Sequence, residues 1–114
     1  MLKKENRLKN KYILKALFFK GRTFKSPFFL CKFFPKNLTS PCFAFLVTKK
    51  VNKSAVVRNK ITRRVKAALI PKINYFPDIN ALFIISLKAK DAPFTLLEKE
   101  IDRLLKFILK YLPK

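Results

Sequence analysis

Lys49-Lys50-Val51-Asn52-Lys53-Ser54-Ala55-Val56-Val57-Arg58-Asn59-Lys60-Ile61-Thr62-Arg63-Arg64-Val65-Lys66 is the stretch whose periodicity organises the chain. Ser54 can cap a helix that runs to about Ile70, where Pro71 stops it. At about 100° per residue, Val57, Ala68, Ile61 and Val65 share a wedge of roughly 80°, with Leu69 just beyond it. That apolar wedge is expected to pack on a sheet. On the opposite side Lys66, Asn59 and Arg63 gather between roughly 180° and 240°. A solvated helix face is usually mixed in sign, yet no acid occurs between Glu5 and Asp78. Like charges three or four residues apart destabilise a helix, so an all-basic face is best explained by phosphates that meet it.

Outward from this helix, Pro and the single glycine punctuate the chain. Leu8 to Lys20 carries the pairs Ile13/Leu17 and Leu14/Phe18 at helical spacing, which predicts a helix ended near Gly21. Phe28–Phe34 and Phe43–Thr48 read as strands bounded by Pro27, Pro35 and Pro41, paired as a hairpin through the loop Lys36–Ser40. Ala81–Leu87 reads as a further strand. Thr95 and Glu98 match a capping box, after which Leu97, Ile101, Leu104, Ile108 and Leu112 mark one apolar face of a closing helix. The resulting order is helix, strands, helix, strand, helix. It predicts one α+β domain spanning residues 1–114, a sandwich of helices on a small sheet.

Composition narrows the function. Of 114 residues, 27 are Lys or Arg and 6 are Asp or Glu, a net charge of +21 that calls for a polyanionic partner. Thirteen phenylalanines make this a folded cation rather than a disordered basic tail. Lys or Arg interrupts every apolar run before it reaches membrane-spanning length, and the charged N-terminal stretch lacks the features of a secretory signal; no membrane partner and a cytoplasmic location are the expectation. Cys31 and Cys42 are read as free thiols, since the chain has no His to complete a Cys/His zinc site. No catalytic or metal-binding residue is expected in the protein. Glu98 and Asp102 share a helix face, which is more often a capping and solvation pair than a Mg²⁺ site.

The central segment resembles the bacterial ribonuclease P protein family, whose members carry Lys-Lys, a small spacer with Ala, and then Arg-Asn-Arg-x-Lys-Arg-x-x-Arg on one helix. Arg58, Asn59, Lys60, Arg63 and Lys66 fall in register with that motif, after Lys49 and Lys50. Thr62, Arg64 and Ala67 depart from it, standing where the family usually has Lys, an apolar residue, and a polar or acidic residue. Arg7-Leu8, Leu14, Phe18 and Gly21 match the family's N-terminal landmarks, Ala81–Lys88 its last strand, and Thr95–Leu112 its final helix.

The resemblance implies an αβββαβα two-layer sandwich with a small mixed sheet, its parallel strands joined by a left-handed crossover. It implies that Lys49, Lys50, Arg58, Asn59, Lys60, Arg63 and Lys66 bind the catalytic RNA of ribonuclease P. Leu14, Phe18 and Lys32 would meet the 5′ leader of precursor tRNA. Without the family, Leu14/Phe18 reads better as a core pair, and Lys32 reads equally well as an ordinary strand lysine. Catalysis would belong to the RNA, with Mg²⁺ held mainly by RNA and no cofactor or small-molecule ligand bound by the protein alone. A small ribosomal or other structural RNA-binding protein is the alternative; it accounts for the charge but not for the Arg-Asn register. A cationic membrane-surface protein suits the evenly used helix faces less well.

Overall fold

A computed structural model describes residues 2–35 and 40–112. They form α1 (Lys11–Lys20), β1 (Arg22–Lys25), β2 (Phe29–Pro35), β3 (Cys42–Leu46), α2 (Ala55–Leu69), β4 (Ile79–Ile85) and α3 (Phe94–Tyr111). This is the αβββαβα order. The sheet runs β1-β2-β4-β3, with β1 and β4 antiparallel to β2, and β3 parallel to β4. The connection through α2 is therefore a crossover between parallel neighbours.

The expected hairpin between the second and third strands does not form, because β4 lies between them. The reason is burial. Six of the seven β4 residues are buried, so β4 takes a central place, covered on both faces. β1 escapes a reading by periodicity because it has four residues and begins and ends with a cation. Of the predicted loop Lys36–Ser40, residues 36–39 lie outside the described residues.

Helix α1 starts later than its apolar pattern suggests. Asn10 caps it, its side-chain oxygen accepting from the amides of Tyr12 and Ile13 at 2.9 and 3.2 Å. The preceding residues are extended: Arg7 bridges to Phe43, and the Leu8 amide donates to the Phe43 carbonyl at 2.9 Å. The outer edge of β3 is thereby covered. At the other end Gly21 is extended, not left-handed, with φ −66°. It is needed for space instead, since a Cβ there would sit 2.6 Å from the Leu17 carbonyl oxygen and 3.1 Å from Lys32 Cβ. Gly21→Ala is expected to destabilise the fold by about 1–2 kcal/mol. Chemical unfolding checks this, and an unchanged midpoint would mean that the backbone gives way freely.

Two layers enclose the main core. Phe29, Cys31 and Phe33 of β2, Phe43 of β3, and Ala81, Phe83 and Ile85 of β4 share one cluster with Ile61, Val65, Ala68 and Leu69 of α2 and Leu97, Ile101, Leu104 and Ile108 of α3. The apolar wedge of α2 is thus shared between the sheet side of the core and its neighbour α3. Aromatic contacts tie the layers together, with Phe107 of α3 lying 5.3 Å from Phe24 and 6.0 Å from Phe33. Helix α1 crosses β2 and β4 on the opposite face, where Leu17 and Leu82 are buried apart from the main cluster. Burial pushes the Cys31 thiol well above its ordinary pKa, which keeps it protonated and unreactive. Cys42 is half-buried, with Sγ 3.2 Å from the Glu5 carbonyl oxygen.

Ser54 caps α2 as expected, accepting from the Val57 amide at 3.3 Å. Pro71 ends the α-helix but not the helical path, since it enters a 3₁₀ segment, Ile70–Tyr75, in the first turn. The capping box on α3 is not used. Pro93 is the N-cap, no side chain caps the helix, and Thr95 already lies inside it. Proline's fixed φ leads the chain directly into the first turn.

Candidate nucleic-acid interface

On α2, Asn59, Lys60 and Arg63 are exposed and Lys66 is half-buried, its ammonium 5.3 Å from the centroid of the Phe45 ring. That contact holds Lys66 beside the sheet while leaving its charge near the surface. Arg58 is differently employed. Its Nη1 donates to the carbonyls of Asn52 and Lys53, both at 2.9 Å, so it braces the turn that follows the exposed Lys49 and Lys50. The Thr62 hydroxyl donates to the Arg58 carbonyl at 3.0 Å.

Asn59, Thr62, Arg63 and Lys66 line a shallow groove with Val56. Arg63 and Lys66 also line a second groove, whose other wall includes Leu2 and Arg7. Arg7 is held there by its own hydrogen bond from Nε to the Leu2 carbonyl at 3.1 Å. The β3 edge contact and the burial of Leu2 bring this N-terminal cation to α2, so no local pattern in the sequence marks it as part of the surface. Arg64 belongs elsewhere: its Nη2 donates to the Ala92 carbonyl and its Nε is buried without a partner. At this departure from the motif the cation serves the packing of α2 against the loop before α3.

None of these cations is paired with an acid among the described residues. Among the described residues the ion pairs are Lys72 with Asp102 at 3.1 Å and Arg103 with Glu100 at 2.6 Å. The hydrogen bond from Arg103 to Glu100 and its charge raise the guanidinium pKa further. Asp102 is thus engaged with Lys72, not with Glu98.

The second group of predicted residues lies on the α1 face of the sheet. Lys32 donates to the Phe18 carbonyl at 2.8 Å, with its ammonium 5.5 Å from the Phe18 ring centroid. The lysine therefore satisfies a carbonyl in the last turn of α1, a favourable place for a cation. Phe18 is 45% exposed and meets Phe19 edge to face at 5.3 Å, whereas Leu14, one turn earlier, is half-buried. Because Leu17 is the wholly buried residue of this helix, Phe18 is not a core residue. The structure joins Phe18 and Lys32 directly and gives Leu14 no specific partner in common with them.

The fold and surface define a class: small cationic α+β proteins with a mixed four-stranded sheet, a crossover helix whose outer face is basic, and an exposed aromatic on the opposite side. The Ribonuclease P family model matches residues 2–109. The chain belongs to the ribonuclease P protein family. It is 29% identical over 107 residues to a ribonuclease P protein component of Picosynechococcus sp., covering 91% of this chain and 90% of that one. The RNase P protein of Thermotoga maritima shares the fold with a TM-score of 0.77 at 20% identity, covering 90% of this chain and 96% of that one. A mutant RNase P protein of Staphylococcus aureus superposes with a TM-score of 0.79 at 21% identity, covering 91% and 88%.

Proposed function

We propose that this protein is the subunit of ribonuclease P that binds the catalytic RNA through α2 and presents the 5′ leader of precursor tRNA for removal. The carrying observation is the surface of Lys60, Arg63 and Lys66 with Asn59 beside them, extended by Arg7 and flanked by Lys49 and Lys50, whose cations join no ion pair among the described residues. Phosphates are the partner that relieves such a surface, because neutralising them releases condensed counterions. On the other face of the sheet, Leu14, Phe18 and Lys32 receive the leader: the Phe18 ring offers a base a stacking surface, and Lys32 offers a phosphate a charge.

In this reading the chemistry belongs to the RNA. The chain has no His, and two of its six acids are tied to Lys72 and Arg103. Mg²⁺ would be held mainly by RNA, and the protein would help by lowering the phosphate repulsion that the ions otherwise have to screen. The work would take place in the cytoplasm, and among the described residues no helix is long and apolar enough to cross a membrane.

The test is binding to a bacterial ribonuclease P RNA across a range of salt concentrations. The wild type should bind, and Arg63→Ala and Lys66→Ala should each lower the slope of log affinity against log salt by about 0.7–0.9. Unchanged slopes in both variants would return this face to ordinary solvated surface.

A further inference from the structure

We propose that the groove where β1 begins, β2 ends and α3 closes is a second subsite for single-stranded RNA, holding leader nucleotides that extend beyond the α1 side of the sheet at Leu14, Phe18 and Lys32, taken as the leader cleft. The proposal rests on the reading of that cleft as leader-binding. The groove is lined by Lys20, Arg22, Phe33, Phe34, Tyr111 and Leu112, together with Pro35. Two cations, the exposed Tyr111 ring and the half-buried Phe34 ring stand in the wall over buried Phe33, with no acid among them, a combination that suits a phosphate chain with unpaired bases. Duplex RNA does not offer its base faces and would leave the rings unused.

Arg22 is the centre of the groove. Its guanidinium lies 4.7 Å from the centroid of the Tyr111 ring, and Phe107 supports that ring at 4.6 Å. Arg22 nevertheless remains exposed, and Tyr111 is 45% exposed. A guanidinium laid on a ring is pre-ordered: it keeps its N–H groups for phosphate and its plane for a base. Neither ion pair of the described residues involves it.

The groove also continues the surface that Phe18 and Lys32 form. Arg7 and the basic face of α2 adjoin β3, at one side of the sheet, and β1 is the strand at the other. The groove therefore lies across the sheet from the proposed RNA-binding surface. Phe34 follows Lys32 on the same face of β2, about 7 Å further on, and Lys20 follows Phe18 on α1. Both elements of the cleft thus lead into the groove.

The experiment compares the reconstituted holoenzyme on two precursor tRNAs, one with a leader that ends within the cleft and one with a leader several nucleotides longer. The wild type should bind the longer leader more tightly, and Arg22→Ala should remove about fivefold or more of that advantage while leaving the short leader unaffected. Equal loss on both substrates, or no loss on either, overturns the proposal. Arg22 is an exposed residue at the start of an edge strand, so the unfolding midpoint of the variant should stay unchanged. Phe18→Ala on the short leader tests the cleft itself, so failure of the distal subsite and failure of the cleft reading give different results.

Discussion

Addition of this protein to a bacterial ribonuclease P RNA at low Mg²⁺ is expected to raise cleavage of precursor tRNA by roughly an order of magnitude or more. Folded RNA and its substrate crowd phosphates together, and at low Mg²⁺ that repulsion keeps the reacting groups apart. On the proposed reading, a partner with a net charge of +21 would supply counter-charge at fixed positions and would add a leader contact that the RNA alone lacks. The same preparation, freed of RNA, should leave precursor tRNA intact. Hydrolysis of a phosphodiester needs a proton acceptor or a metal-bound hydroxide. The chain has no His, and among the described residues no three Cys, Asp or Glu side chains come together as a metal site. Leader removal by RNA-free protein would end the assignment of catalysis to the RNA. Stimulation that disappears at high Mg²⁺ would be the signature of charge neutralisation.

Phe18→Ala is expected to weaken binding of leader-bearing precursor tRNA to the holoenzyme by about 1–3 kcal/mol, while affinity for mature tRNA stays the same. The selectivity follows from where the ring lies. It is nearly half exposed on the cleft side, and the hydrogen bond that Lys32 makes there is to the Phe18 backbone carbonyl, which survives truncation of the side chain. Leu17→Ala provides the contrast. That residue is fully buried between α1 and the sheet, and its loss should cost about 2–5 kcal/mol of folding stability and harm both affinities together. Equal loss for precursor and mature tRNA on Phe18→Ala, with a lowered unfolding midpoint, would remove Phe18 from the binding surface.

The elements that carry their own period were legible before any coordinates. Helix α2 could be placed from Ser54 to the neighbourhood of Pro71 because one face repeats Val57, Ile61, Val65 and Ala68 and the other repeats cations. Helix α3 could be placed by the stripe Leu97, Ile101, Leu104, Ile108 and Leu112, the first four of which are buried, whereas Leu112 is half-buried at the C-cap. The resemblance carried the reading further, to the αβββαβα order and to the family. Local chemistry misled where two signals competed. Thr95 and Glu98 form a sound capping pattern, but Pro93 starts α3 first; Leu8 fits the apolar rhythm of α1, but its amide is committed to Phe43 in the sheet.

What the sequence by itself determined about this protein is its periodic helices, its β-rich segments and an excess of positive charge without internal compensation. Which strands are neighbours was decided by the tertiary structure alone. Pairing depends on which strand must be covered on both faces, and β4 displaces the local hairpin because nearly all of its residues have to leave water. The same holds for the binding surfaces. Arg7 reaches Arg63 and Lys66 through an edge contact on β3, Arg64 turns inward to the Ala92 carbonyl, and Arg22 meets Tyr111 across nearly the whole length of the chain. Charge is a property of composition, but a site is a property of distance, and distances between residues far apart in sequence exist only once the core has closed.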